Sequence, residues 1–371
     1  MKNVLYLAFV EFDDPSDGVV KKIKMQLNAM GQNGYSAECA AYEENGLSVF
    51  KDERAVFTAS YQENKGRRFQ LLDFVLDYVK QNAKDILYMR FAYSDPWMCS
   101  FLRKVRQYVS KIVVEIATYP YRYKDTFFRD KKTWFIQTID RLFLSSMSKY
   151  VDEYLVIGEP VDNIHGVKVT NIPNGIDESL FSMKKGNVGK EINIMCLANM
   201  YIYQGYDRLI SGLYNYQNNG GREEIRIHLV GDGPELEKYK ALTDELKLEK
   251  NVIIHGRKSG EELEDLFNVC NLACAMLAPH RNQIIYASPL KTKEYMLRGI
   301  PYIYAYTEIG INEACEYMMY IESSEEAVDM GKIVEFFNTY KNNAKQASEI
   351  LREYAIQNFA WKNILKILSE V

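Results

Sequence analysis

The sequence predicts an α/β protein made of two doubly wound parallel-sheet domains. Three observations lead there. Short apolar runs without polar alternation, the pattern of strands buried on both faces, alternate with amphipathic helical segments along the chain. That alternation falls into two halves, separated by an irregular stretch containing Pro173 and the turn Asn174-Gly175. At 371 residues the chain is long enough for two domains with a core each.

Composition narrows the function. The net charge of −4 supplies no basic field for nucleic acid. The 28 tyrosines suit an interface or a sugar-binding surface, and biased genome composition explains them equally well. Of the six cysteines, Cys270 and Cys274 stand four apart, but no second pair or nearby histidine completes a metal set. All six read as buried or incidental thiols of a reducing compartment, with no metal cofactor expected. The start, MKNVLYLAFVEFDD, reads as a strand followed by acidic residues rather than a signal peptide. No apolar run approaches the roughly 20 residues of a membrane helix, so a cytoplasmic location is expected.

In the first half, Val4–Val10 is a buried strand. The loop EFDDPSDGVV brings Gly18 to the start of a helix ending near Gly31–Gly34. Strands follow at Ser36–Tyr42 and Ile86–Phe91, with a helix over Phe69–Lys80 between them. Arg90 lies at a strand's carboxyl end, where α/β sheets place functional groups, or else on the surface of the next loop. A helix around Pro96–Val109 precedes the strand KIVVEIATYP, interrupted by Glu115. Its tail carries Tyr119, Tyr121 and Tyr123 around an arginine. That mixture suits stacking on and hydrogen-bonding a sugar, and tertiary packing is the alternative. Lys131–Met147 forms an amphipathic helix with a basic start. It suits contact with an anionic membrane surface, or packing on the core with its lysines solvated. Tyr154–Ile157 is expected to close the first sheet.

The second half opens with a buried strand over residues 192–200, then a loop and an amphipathic helix. Arg226–Val230 is a strand running into GDGPE, where Gly231 and Gly233 turn tightly and Pro234 starts a helix. Asn251–His255 is a strand with Arg257 just beyond it. A helix over Glu261–Val269 leads to a strand at Leu272–Leu277, and His280-Arg281 follow as structural or functional residues. The stretch YASPLKTKEYMLRGIP, Tyr286–Pro301, carries the densest chemistry. Pro289 suits the first turn of a helix through Leu290, Tyr295, Met296 and Leu297. Such a loop-to-helix entry presents free amides and a positive dipole end, which suits a phosphate. Ser288 and Thr292 add hydroxyls, Lys291 and Lys293 add charge, and Glu294 can accept from ribose hydroxyls. A plain surface helix with a serine cap fits the same residues. Tyr302–Tyr306 is a late strand, and the remainder reads as helical.

The string SPLKTKEYMLRGIPYI resembles the donor-nucleotide helix of family-4 glycosyltransferases, which have the GT-B fold. VTNIPNGIDESLF resembles their interdomain linker, GDGPE recurs in them after the matching strand, and E-x-x-T-Y-P-Y has counterparts in bacterial polysaccharide glycosyltransferases. The resemblance spans most of residues 166–371. It implies two facing Rossmann-like domains, 1–168 for the acceptor and 169–350 for the nucleotide sugar, with 351–371 crossing back as a helix onto the first.

It also implies retaining hexosyl transfer from a nucleotide sugar, a UDP-sugar being favoured, to a glycan or lipid-linked hydroxyl at the inner face of a bacterial plasma membrane. Lys291 and Glu294 would act with Tyr286 at the reacting end. Ser288, Pro289, Leu290, Thr292, Gly205, Gly231, Gly233, Arg257, His280 and Arg281 would frame the donor. Gly18, Arg90, Glu115, Tyr119 and Tyr121 would frame the acceptor, and Asn174 and Gly175 would lie near the cleft floor. Three positions depart from the family. Asn199 and Gln204 stand where it carries the Arg and Lys that neutralise the diphosphate, and Tyr286 replaces the first of two glutamates. Either charge comes from elsewhere, with Arg257, Lys258, Arg281 and Lys291 as candidates and Lys291 the first choice, or nucleotide binding is weak. Two other classes fit these departures: a catalytically degenerate partner protein, and a GT-B nucleotide-sugar epimerase.

Overall fold

The computed structural model describes residues 2–13, 17–63, 65–120, 131–185, 189–311 and 315–369. They form two compact units, Met1–Pro173 with Trp361–Val371 and Asn174–Ala360.

The first unit is organised by a sheet of nine strands: β1 (Asn3–Glu11), β2 (Ser36–Glu43), β3 (Gly46–Lys51), β4 (Arg54–Ser60), β5 (Lys84–Arg90), β6 (Val109–Tyr119), β7 (Glu153–Gly158), β8 (Asn163–Ile164) and β9 (Val167–Asn171). Their spatial order is β4-β3-β2-β1-β5-β6-β7-β9-β8. The central strands are parallel. Helices α1 (Gly18–Gln32), α2 (Arg67–Gln81), α3 (Pro96–Val105) and α4 (Lys131–Ser148) connect them. Alternation along β1 explains the layers. Leu5 and Leu7 join one core with Leu71, Val75 and Leu102, while Val4 and Tyr6 join the other with Val20, Ile23 and Trp361.

Two strand expectations need correcting. β7 does not close the sheet, because β9 pairs beyond it and β8 turns back on β9. A β3–β4 hairpin, antiparallel to β2, extends the other edge. Both additions are short or exposed, so neither leaves a long apolar run in the sequence.

A buried charge cluster lies under the first sheet. Glu115 is fully buried, with Lys22 Nζ 2.9 Å and Arg90 Nη1 3.2 Å from its Oε1. Its Oε2 accepts from Tyr88 Oη at 2.6 Å and from Gln26 Nε2 at 2.5 Å. Gln26 in turn accepts from Tyr6 Oη at 2.9 Å. Burial favours the neutral acid, but Lys22 and Arg90 outweigh it and hold the Glu115 carboxyl down at about 2.

The second unit holds a fully parallel six-stranded sheet of order β12-β11-β10-β13-β15-β17. The strands are β10 (Ile192–Asn199), β11 (Ile225–Asp232), β12 (Val252–Gly256), β13 (Leu272–Cys274), β15 (Tyr302–Tyr304) and β17 (Met318–Tyr320). A separate pair joins β14 (Tyr286–Ala287) to β16 (Thr307–Glu308). The helices are α5 (Tyr206–Asn218), α6 (Leu236–Glu245), α7 (Gly260–Val269), α8 (Leu290–Leu297), α9 (Met330–Tyr340) and α10 (Ala344–Phe359). Pro234 stands two residues ahead of α6, which begins after Glu235. β17 lies in the region expected to be helical.

A polar chain crosses this sheet. His228 Nε2 is 3.0 Å from Asn193 Oδ1, and its Nδ1 is 3.0 Å from His255 Nε2. The carbonyl can only accept, so His228 donates from Nε2 and accepts at Nδ1 from His255. Burial and the neighbouring His255 and Arg226 lower the His228 imidazole to about 4.

The unit boundaries fall at 173 and 360 rather than 168 and 350. β9 pairs with β7 and so belongs to the first sheet. α10 packs along α8, and Ser348 Oγ donates to Gly299 O at 2.7 Å, so α10 belongs to the second unit. The chain re-enters the first unit only at Trp361.

Candidate nucleotide site

The carboxyl ends of β10, β11 and β12 and the start of α8 surround an open hollow of about 720 Å³. Leu197, Ala198, Asn199, Tyr201, Tyr203, Gln204, Gly231, Arg257, Lys258, Ser259, Met276, Pro289, Leu290 and Lys291 line it. Parallel sheets place ligands at this edge, because strands end there and helices begin. Among the described residues no side chain caps the start of α8, and Pro289 at its cap position has no N–H to donate. The first-turn amides of the helix therefore lie at the wall made by Pro289, Leu290 and Lys291.

Two glycines let the backbone close up here. Gly205 has φ +66°, and a Cβ on it would lie 2.7 Å from Ala278 N. Gly231 has φ +126°, and its Cβ would lie 1.9 Å from Ala198 O.

Lys291 is the best-placed cation. Its Nζ donates to Gln204 Oε1 at 2.8 Å and to Tyr206 Oη at 3.1 Å. Burial pushes its ammonium down to about 8, and the thiols of Cys196 and Cys274 oppose that shift. Gln204 thus accepts from a lysine arriving from α8. On the far flank, Arg257 is largely exposed, 3.5 Å from Asp232 Oδ2, and Lys258 pairs with Glu262 at 2.7 Å. Gln204 also reaches the Asn199 carbonyl, with Nε2 donating at 3.4 Å.

Other expected donor residues point elsewhere. Ser288 is buried, its Oγ accepting from Asn174 N at 3.0 Å while its carbonyl accepts from Asn174 Nδ2 at 2.8 Å. Those bonds tie the 174–175 turn to the strand end before α8. The buried Thr292 donates to Pro289 O at 2.9 Å and lies 3.1 Å from Glu308 Oε2. Lys293 is fully buried and paired with Glu308. Arg281 forks onto Asp207 at 2.8 and 2.7 Å and also holds Glu325. His280 bridges Ser323 Oγ at 2.8 Å and Glu325 Oε1 at 2.6 Å. None of these five lines the hollow.

Glu294 and Tyr286 also stand outside its lining. Glu294 Oε1 accepts from Arg298 Nε at 3.0 Å, and Arg298 forks onto Glu264. Burial raises the Glu294 carboxyl, against the pull of Arg298. Tyr286 is part-exposed in β14. Gly233 has φ +151° and sits beside Met200, where a Cβ would lie 2.5 Å from Met200 N.

In the first unit, the expectation that Glu115 faces an acceptor is corrected. It is wholly consumed by the buried cluster, and Arg90 is one of its partners. Gly18 is the first residue of α1, capped by Asp17, with open space where a Cβ would go. Tyr119 packs against the core behind α2 and α3. Tyr121 lies outside the described residues.

The reading of the sequence missed Tyr201 and Tyr203, whose rings stack at 5.6 Å and 16° on the hollow's rim. Two aromatics directly beyond a buried strand were the available signal. Among the described residues, no group of three or more His, Cys, Asp or Glu side chains could hold a metal. No described helix is long and apolar enough to cross a membrane.

The fold is GT-B, with Rossmann-like parallel sheets in both units. Residues 178–309, which contain the hollow's lining, match the family model for glycosyl transferases group 1. Among solved structures, a glycosyltransferase from Rickettsia africae is similar over 100% of this chain and 97% of its own, with TM-score 0.67 and 14% identity. HepE from Anabaena, in complex with UDP, is similar over 100% of both chains, with TM-score 0.62 and 14% identity. Sucrose-phosphate synthase from Thermosynechococcus elongatus covers 100% of this chain and 98% of its own, with TM-score 0.64 and 12% identity. No curated protein sequence matches the chain.

Proposed function

We propose that the chain is a glycosyltransferase that moves a sugar from a nucleotide-sugar donor, a UDP-sugar being favoured, to a hydroxyl acceptor. The observation that carries this reading is the hollow at the sheet edge. An uncapped helix start and Lys291 converge there, inside the segment that matches the group 1 model. HepE, similar in fold, was solved with UDP and with UDP-glucose.

In this reading the acceptor oxygen bonds to the anomeric carbon as the bond to the diphosphate breaks. The acceptor proton passes to a departing phosphate oxygen. Negative charge grows on that diphosphate, where the α8 amides and Lys291 stabilise it. Attack on the face the diphosphate leaves retains configuration and requires no protein nucleophile or metal. The family resemblance assigns the ribose to Glu294 and the sugar side to Tyr286; both stand just outside the hollow's lining, so each would have to turn towards the donor, Glu294 away from Arg298. The setting is assembly of a bacterial surface polysaccharide or glycolipid at the cytoplasmic face of the membrane. Trp134, Phe135 and Leu142, exposed on α4, whose first residues are Lys131 and Lys132, suit contact with that surface.

The test is a thermal-shift screen against UDP, GDP, CMP and their sugar conjugates, repeated on Lys291→Ala and Glu294→Gln. A ligand that binds only the folded state raises Tm. The expected result is a shift with one nucleotide that both variants lose, followed by sugar transfer to an acceptor. Asn199 and Gln204, neutral at the hollow, favour a second reading as a catalytically degenerate partner. A well-folded chain that shifts with no nucleotide selects that reading, and an isomerised donor selects an epimerase.

A further inference from the structure

The hollow's rim carries a feature that phosphate binding does not use. Beyond β10 the chain makes a single 3₁₀ turn, Ile202–Gln204. That turn is fastened to the segment after β13: Leu277 N donates to Gln204 O at 2.9 Å and Ala278 N to Tyr203 O at 3.2 Å. Gly205 permits this contact, because any Cβ would collide with Ala278. The turn is therefore a fixed shelf. It holds Tyr201 and Tyr203 as a stacked pair, with Tyr201 45% exposed.

Beside the pair stand two neutral amides, Asn199 and Gln204, both lining the hollow. Gln204 is the direct partner of Lys291, so the aromatic shelf begins one residue from the phosphate-binding amine. The opposite flank is different in kind. There Gly231, Arg257, Lys258 and Ser259 offer backbone, charge and a hydroxyl but no ring.

Resting on the donor reading above, we propose that Tyr201 and Tyr203 form the stacking floor for the sugar ring of the donor, with the exposed Asn199 as a partner for its hydroxyls while Gln204, engaged by Lys291 and the Asn199 carbonyl, braces the phosphate side. An aromatic face flanked by an exposed amide takes the C–H face of a pyranose and leaves its hydroxyls to that amide. With the diphosphate at Lys291, the flank without rings takes the nucleoside. Specificity for the transferred sugar then resides in the loop after β10.

The test compares a nucleotide with its own sugar conjugate by calorimetry: UDP against UDP-glucose, UDP-galactose and UDP-N-acetylglucosamine, and GDP against GDP-mannose. The proteins are the wild type, Tyr201→Ala and Tyr201→Phe. Tyr201→Ala is expected to weaken the preferred nucleotide sugar roughly three- to tenfold, with the bare nucleotide within about twofold of wild type. Tyr201→Phe, which keeps the ring, is expected to behave as wild type. Equal loss for nucleotide and conjugate in Tyr201→Ala assigns the shelf to the base and overturns the proposal. No loss for either, or loss in Tyr201→Phe, overturns it as well. Failure of the wild type to bind any of these nucleotides instead removes the donor reading, and the proposal with it.

Discussion

Donor affinity is predicted to depend on pH through one amine. Lys291 sits at the wall of the hollow formed by the start of α8, with its ammonium lowered to about 8 by burial. A diphosphate needs the charged form. At pH 7 about nine-tenths of free Lys291 is protonated, and at pH 9 about one-tenth. If the bound ammonium stays protonated to a higher pH, held by the phosphates, affinity falls about tenfold between pH 7 and pH 9, or about 1.4 kcal/mol. The direction follows from the sign of the shift: binding is strongest below 8 and is lost as pH rises through it. The assay is titration calorimetry of UDP from pH 6.5 to 9.5. Buffers of different ionisation heat reveal proton uptake near pH 9. Lys291→Arg does not titrate in this range and removes the slope. Lys291→Met removes both the slope and most of the affinity. A flat profile in the wild type, or a slope that survives in Lys291→Met, refutes the assignment of Lys291 to the phosphates.

Two further predictions concern the buried polar groups. Glu115→Gln removes the charge facing Lys22 and Arg90, and should cost the first unit about 3–5 kcal/mol in denaturant unfolding. Because the Glu115 carboxyl is held down at about 2, against its ordinary 4.5, its stabilisation is complete above pH 4.5 and is lost as pH falls towards 2. The variant should therefore show a flatter acid profile across that window. His228 is held neutral, at about 4 against its ordinary 6.5, first by burial and then by the neighbouring His255 and Arg226, and its second nitrogen already accepts from His255. The unfolded chain binds the extra proton first, so the second unit loses stability as pH falls from 6.5 to 4, by a few kcal/mol. His228→Gln should flatten that window in chemical denaturation at pH 4, 5, 6 and 7.

Much of the fold could be read from the sequence because parallel strands buried on both faces leave continuous apolar runs. KIVVEIATYP and INIMCLANM are such runs, and both are central strands. The missed elements lack that signal. The β3–β4 hairpin includes an almost wholly exposed strand, and β17 is three residues long. The site was legible to the level of the element but not of the side chain. Residues 288–292 do start a helix at the hollow, and Lys291 does line it. Thr292 and Lys293, its immediate neighbours, turn inward to Glu308. Linear spacing marks a helix but not which of its faces meets a partner 15 residues further on. Glu115 failed for the opposite reason. A carboxylate inside an apolar strand suggests chemistry, yet its partners Lys22, Gln26 and Tyr88 arrive from distant segments as a ready-made neutralising shell.

The return of the chain at Trp361 has a consequence for synthesis. Trp361, Leu365 and Leu368 are buried in the same core as Val4, Tyr6 and Ile23. Lys22, which neutralises Glu115, also lies 5.3 Å over the Trp361 ring. On the ribosome, Val4, Tyr6 and Ile23 must therefore wait until the whole second unit has been made before Trp361 fills their core. The second unit, continuous from Asn174 to Ala360, has every segment it needs earlier. Of the two units, the first begins before the second and is completed after it, and a nascent chain stopped just short of Trp361 would carry a finished second unit behind an open first one.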